Sequence, residues 1–254
     1  MLAQELMDAT SSTIGQAGAA FYFHPDTLAR GKEIGLDGFR FYMLGRGGVL
    51  GDVESDVVAS AFGYFNRSLV ARIWNTAKER YNPGPREAAR EYLECCANLG
   101  RSTLANVEGL NAFCEAAEAI IAAANPAGLS LYAGIAAEPR AEDLPGRALQ
   151  LVAVLRELRG SAHLLAVITS GVAPEVAHAV KRPDAVATFG WDPAPEITDD
   201  DRANLDAAEA LTDRLLISTY ESLDDSAKAA LLAGTQAIGA GLGIYSNPRK
   251  ESRF

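Results

Sequence analysis

The stretch Gly45-Arg46-Gly47-Gly48-Val49-Leu50-Gly51 is the most unusual in the chain. Glycines let backbone amides approach a phosphate, and an arginine among them would add a fork of donors. The spacing fits neither the dinucleotide-binding GxGxxG pattern nor the P-loop, and no Lys-Ser/Thr pair follows. The stretch therefore reads as a helix break at which backbones pack closely. Three histidines are spread through the chain at His24, His163 and His178. His24 lies in an aromatic turn beside Pro25, His163 sits among Leu164, Leu165 and Val167, and His178 has an exposed-looking position between valines. A zinc site needs clustered ligands at short spacing, such as HExxH, and none occurs, so no metal is expected and no cofactor is specified.

Nucleophilic chemistry finds no textual support either. There is no GxSxG, and Cys95, Cys96 and Cys114 contain no CxxC and cannot pair off completely. They read as reduced, buried thiols on helices. The acid run Asp199-Asp200-Asp201 after Thr198 reads as a helix cap before it reads as a cation site.

The richest aromatic region is Phe62, Tyr64, Phe65 and Trp74, with Phe39, Phe41 and Tyr42 upstream. Core packing is its default role, yet tyrosines in such a cluster need partners, and helical bundles keep ligand cavities between helices of this kind. A pocket wall is expected here. Its candidate ligand-binding contacts are His24, Tyr42, Arg46, Tyr64 and His163. Catalytic residues cannot be named from the sequence.

The elements that would position these residues are helices. Apolar residues recur at helical spacing at Val53, Val57, Val58, Ala61, Phe62 and Phe65, then at Leu69, Val70, Ile73, Trp74 and Ala77, with Asn66 placed to cap the second run. Further runs cover Ala88 to Cys96, Leu110 to Ala124, Pro145 to Arg159, a separate helix from Ser161, and Leu205 to Leu216 after a capping box at Thr198 and Asp201. Asp224 or Asp225 starts the last helix. Phe39 to Leu44 alternates enough for a strand, but a lone strand would leave its edges unpaired, and helix is favoured. The remainder, Asn247 to Phe254, is polar and reads as a frayed tail.

An all-α, two-lobed bundle is thus expected, with lobes 1–140 and 141–254 divided in the polar stretch Glu138 to Gly146. The first lobe would hold the pocket. With 33 acidic and 23 basic residues the net charge is −10, which opposes loose attachment to nucleic acid. The first residues lack a basic leader, and no apolar run reaches the ~18–20 residues needed to cross a bilayer, so a cytoplasmic protein without a membrane partner is expected.

Phe21 to Asp26, Gly35-Leu36, Tyr42, Arg46, Leu50-Gly51, Phe65-Asn66, Leu155-Arg156-Glu157, Arg159-Gly160, His163, Gly190-Trp191 and Thr212-Asp213-Arg214 hold together in order and spacing. With them the chain resembles an actinobacterial helical family commonly labelled helix-turn-helix. The resemblance implies a winged-helix-like C-terminal lobe, with a recognition helix and a two-stranded wing following the Gly-Trp pair. Here only Asp192-Pro193-Ala194-Pro195-Glu196 precedes the Thr198 capping box, so that lobe is expected in degenerate form. A small-molecule-binding protein is the first functional expectation. An enzyme of specialised metabolism with a helical cavity is the second, and a DNA-binding regulator the third. A homodimer through Thr198 to Gly239 is expected by analogy with helical regulators.

Overall fold

The computed structural model describes residues 1–244. The expected frayed tail from Asn247 lies outside them. Among the described residues there are twelve α-helices, three single turns of 3-10 helix and no strand. The helices are α1 (Ala3–Ala19), α2 (Pro25–Glu33), α3 (Gly38–Gly47), α4 (Ser55–Phe62), α5 (Arg67–Arg80), α6 (Pro85–Thr103), α7 (Leu110–Ala123), α8 (Ser130–Ala136), α9 (Leu144–Thr169), α10 (Pro174–Lys181), α11 (Asp199–Glu221) and α12 (Asp225–Gly241). The all-α expectation holds, and Phe39 to Leu44 is helical within α3. The two-stranded wing implied for the C-terminal half is not present among the described residues.

Helix α9 organises the molecule. Its residues from Ala148 to Val167 are buried on nearly every side, as a helix that is apolar all round must be. It packs against α1, α6, α7 and α8 and also against α10 and α11. Two helices were expected here, divided near Gly160. The structure runs one helix through, because Gly160 lies on the exposed side with open space around it and only its intrinsic helix penalty to bear. One continuous core runs from Ala3 to Ile238, and a small second cluster gathers Ala166, Val167, Val172, Ala177, Leu205 and Ala208.

Side chains placed at the helix starts explain several boundaries. Asn66 Oδ1 accepts the Ser68 amide at 2.9 Å, Thr198 and Asp201 form the expected reciprocal pair, and Asp224 Oδ1 accepts the Ala227 amide at 2.7 Å. The glycine-rich stretch is a point of close approach. Helix α3 ends there and passes into a 3-10 turn, Gly48–Leu50, and a Cβ on Gly45 or Gly48 would collide with the Tyr92 ring or the Pro85 carbonyl of α6. One stripe ends sooner than its spacing predicts. Helix α4 stops at Phe62 because Gly63 takes φ +65°, which places Phe65 in the turn.

Cys95, Cys96 and Cys114 are free thiols. Burial pushes Cys95 and Cys114 up to about 11 and holds Cys96 well above its ordinary value, which keeps them as inert thiols. Among the described residues no helix is long and apolar enough to cross a membrane.

Candidate functional site

A cavity of about 420 Å³ lies between α1, α3, the α4–α5 turn, α9 and α10. Its floor is ionic. Glu157 of α9 is 2% exposed and takes a two-pronged contact from Arg46 of α3, with Nε to Oε1 at 2.9 Å and Nη2 to Oε2 at 2.8 Å. Tyr22 donates its hydroxyl proton to Glu157 Oε1 at 2.7 Å, and Arg156 Nη1 reaches the same oxygen at 2.9 Å while also donating to the Tyr22 hydroxyl. Arg46 further donates to the Tyr42 hydroxyl at 3.1 Å and lies 4.5 Å over the Phe62 ring. Burial would push the Glu157 carboxyl up, but the guanidiniums of Arg46 and Arg156 outweigh it and hold it at about 2. Burial alone would weaken Arg46 as a base, and the Glu157 carboxylate overrides that and raises it.

The side wall is a second ionic cluster. Arg159 donates to Asp213 at 2.9 Å and to Glu209 at 3.1 Å, and Lys181 reaches the other oxygen of Glu209 at 2.8 Å. His163 Nδ1 stands 3.0 Å from the Thr212 hydroxyl, which spends its own proton on the Ala208 carbonyl at 2.8 Å. Thr212 must therefore accept from His163 Nδ1–H, and in the neutral ring Nε2 is left with the lone pair. Burial holds His163 below its ordinary value, against the pull of Glu209.

The roof is aromatic. Phe189, in the 3-10 turn Ala187–Phe189, stacks on Phe65 at 3.9 Å and on His178 of α10 at 3.7 Å, so three rings lie in series. Two backbone contacts hold this stack to the α4–α5 turn. The Asn66 amide donates to the Phe189 carbonyl at 2.8 Å, and Trp191 Nε1 donates to the Tyr64 carbonyl at 2.9 Å. Two polar atoms of the roof are buried without a hydrogen-bond partner: the Tyr64 hydroxyl and His178 Nε2. Burial pushes the Tyr64 phenol up and holds His178 down, so both are neutral near pH 7.

The structure brings Tyr42, Arg46, Tyr64 and His163 to one cavity. His24 is not among the lining residues. It caps α2, its Nδ1 accepting the Asp26 amide at 3.3 Å, a role set by the Pro25 that follows it. His178 was expected to face solvent and is instead only 9% exposed, because α10 turns it beneath Phe189. The sequence reading also missed Arg156, Glu157 and Arg159 as site residues. Their signal was available: three charges within four residues of a largely apolar helix must be paired or put to use. Among the described residues no group of three or more His, Cys, Asp or Glu is placed to hold a metal ion.

The cavity also adjoins a pair of helices joined by a short turn. Helices α4 and α5 are joined by the four residues Gly63 to Asn66, the turn length of a helix-turn-helix. Arg67, Arg72 and Arg80 of α5 are exposed, with Arg67 bonded to Asp56 of α4. Comparison with curated proteins and with solved structures gives no match. The helix-turn-helix family profile matches residues 7–243, a span that takes in the cavity, the α4–α5 unit and nearly all of the described core. On that match, the chain belongs to the helix-turn-helix family.

Proposed function

We propose that this protein binds a small molecule in the cavity between α3, α9 and α10. The observation that carries the reading is the unfinished roof. The Tyr64 hydroxyl and His178 Nε2 are withdrawn from solvent and unpaired at the edge of a space large enough for a ligand. Leaving a buried polar group unbonded costs about 1–3 kcal/mol, and a ligand that bonds to it recovers that cost. The cavity volume falls within the range of about 300–1,000 Å³ usual for small-molecule sites, and its mixture of rings and a few polar groups is of the same kind. Native mass spectrometry of the freshly purified protein, with a thermal-shift screen of a metabolite library, tests this. Saturable stabilisation that disappears in Ala61→Trp, which fills the cavity from α4, is expected. No saturable ligand across the library would sink the reading.

A DNA-binding reading is favoured by the family membership and by one local observation, the four-residue turn that leads into a helix with outward arginines. Against it, Arg67 is tied to Asp56, Lys78 to Asp52, and the whole chain carries −10. Duplex binding that falls steeply with salt and is lost in Arg67→Ala/Arg72→Ala would favour it. No retardation at low salt would remove it. An enzymatic reading would draw on His163 Nε2 as a base in the same cavity, and turnover of any stabilising compound is its test.

A further inference from the structure

The charges around the cavity do not cancel. The whole chain is acidic, yet Arg46, Arg156, Arg159, Lys181 and Arg182 line this space and Glu157 is the single acid among the lining residues. Most of those cations are matched from behind the wall. Arg159 and Lys181 face Glu209 and Asp213, and Arg182 is held by Asp184 at 2.9 Å. At the floor, two guanidiniums share one carboxylate. Tyr22 donates to Glu157 there, and burial keeps its phenol protonated, so it does not supply the missing negative charge. Arg156 is the surplus partner: Arg46 has the two-pronged contact, whereas Arg156 touches Glu157 through Nη1 alone and its Nε is buried without an acceptor.

We infer that the cavity takes a singly negative small molecule, a carboxylate or comparable oxyanion on a flat apolar body, with its anion against Arg156 and its body between the aromatic roof and Leu164. This rests on the small-molecule reading above and names the class of ligand. Arg156 keeps 23% of its side chain exposed, but a surplus guanidinium so far withdrawn from water is costly unless an anion completes it, and an oxyanion matches the fork of a guanidinium in geometry as well as charge. A cation would meet a surplus of like charge, and a neutral molecule would leave it uncompensated. The rest of the lining argues for a flat apolar body: Phe62, Phe65 and Phe189 present rings, with Ala61, Leu131 and Leu164 filling between them. Exposed Gln16 and Gly160 mark where the cavity meets solvent. Tyr64 and His178 then serve the far end of the ligand, where a hydroxyl or amide would satisfy both.

Two fluorescent probes of the same ring skeleton separate the possibilities: anilinonaphthalene sulfonate, which is anionic, and N-phenyl-naphthylamine, which lacks the sulfonate. Each is titrated into the full-length protein, into Arg156→Gln, Arg156→Lys and Ala61→Trp, with circular dichroism confirming that each variant is folded. The sulfonate is expected to bind roughly ten- to hundredfold more tightly than its neutral twin, the scale of a charge-assisted bond. Arg156→Gln should erase that preference without weakening the neutral probe, and Arg156→Lys should keep part of it. Equal affinity for the two probes, or a preference that survives Arg156→Gln, overturns the inference while the cavity still binds small molecules. Failure of both probes to bind saturably, or binding indifferent to Ala61→Trp, overturns the small-molecule reading itself and this inference with it.

Discussion

The floor and the roof of the cavity are built on opposite terms. At the floor, Glu157 is enclosed by Arg46, Arg156 and Tyr22, and both of its oxygens are bonded. At the roof, His178 ends the stack of rings and Tyr64 lies tilted beside it at 6.4 Å, and each leaves a buried polar atom unbonded. A bonded ionic network inside a protein is strongly destabilised by loss of one member, whereas an unbonded polar atom is a cost already carried by the fold. The bonded Glu157 centre of the floor therefore serves chiefly stability, whereas the unbonded atoms, Arg156 Nε at the edge of the floor and Tyr64 and His178 in the roof, are the ones the proposed ligand would engage.

The contrast is broken most directly at Glu157. Glu157→Ala leaves two partly buried guanidiniums without a counter-charge and should cost about 3 kcal/mol in urea unfolding. A loss below about 1 kcal/mol would show that the floor is not structural. Acid should act on the same group. The carboxyl sits at about 2 in the folded chain against 4.5 when free, so its contribution is complete above pH 4.5 and is lost as pH falls from there toward 2. That depression is on the order of 3 kcal/mol. His163 and His178 are held below 6.5 by burial, so the folded chain resists their protonation and stability begins to fall once pH drops below 6.5. Unfolding measured against pH should thus show a first decline assignable to the histidines and removed in His163→Gln/His178→Gln, then a second that Glu157→Gln removes.

A smaller loss is expected at the edge of the roof. Gly63→Ala combines φ +65° with a Cβ that would collide with the Leu164 side chain, and should cost about 1–3 kcal/mol. Equal stability to the parent would mean that the α4–α5 turn is free to shift. The smallest effect has the reverse sign. Tyr64→Phe deletes an unbonded buried hydroxyl and should leave the unfolding free energy unchanged or raise it by up to about 1 kcal/mol, while weakening any ligand that bonds to that hydroxyl. A marked destabilisation there would erase the distinction between the two walls.

Much of this fold was legible because its helices announce themselves. The stripe Val70, Trp74 and Ala77 is fully buried as its spacing requires, and Asn66, Thr198 and Asp224 cap the helices they precede. Arg46, Tyr42 and Tyr64 were accessible as polar residues within an aromatic region. Glu157 and His178 were not, for different reasons. The charge of Glu157 stood out in its helix, but its role did not, because Tyr22 and Arg46 lie more than a hundred residues away and periodicity carries no information on such pairing. His178 was misread because its short helix looks amphipathic by itself, while Phe189 folds back over the side that the spacing leaves open.

Tyr64 and Phe65 belong both to the cavity roof and to the joint from which α5 projects. Under the proposed function, a guest held by those two rings would also restrain the joint that carries Arg67 and Arg72. Thermodynamic reciprocity then runs the other way as well: whatever grips the outer side of α5 must alter the guest's affinity by the same factor that the guest alters its grip. On that proposal the α4–α5 joint would act as a transmission between the interior of the molecule and its surface.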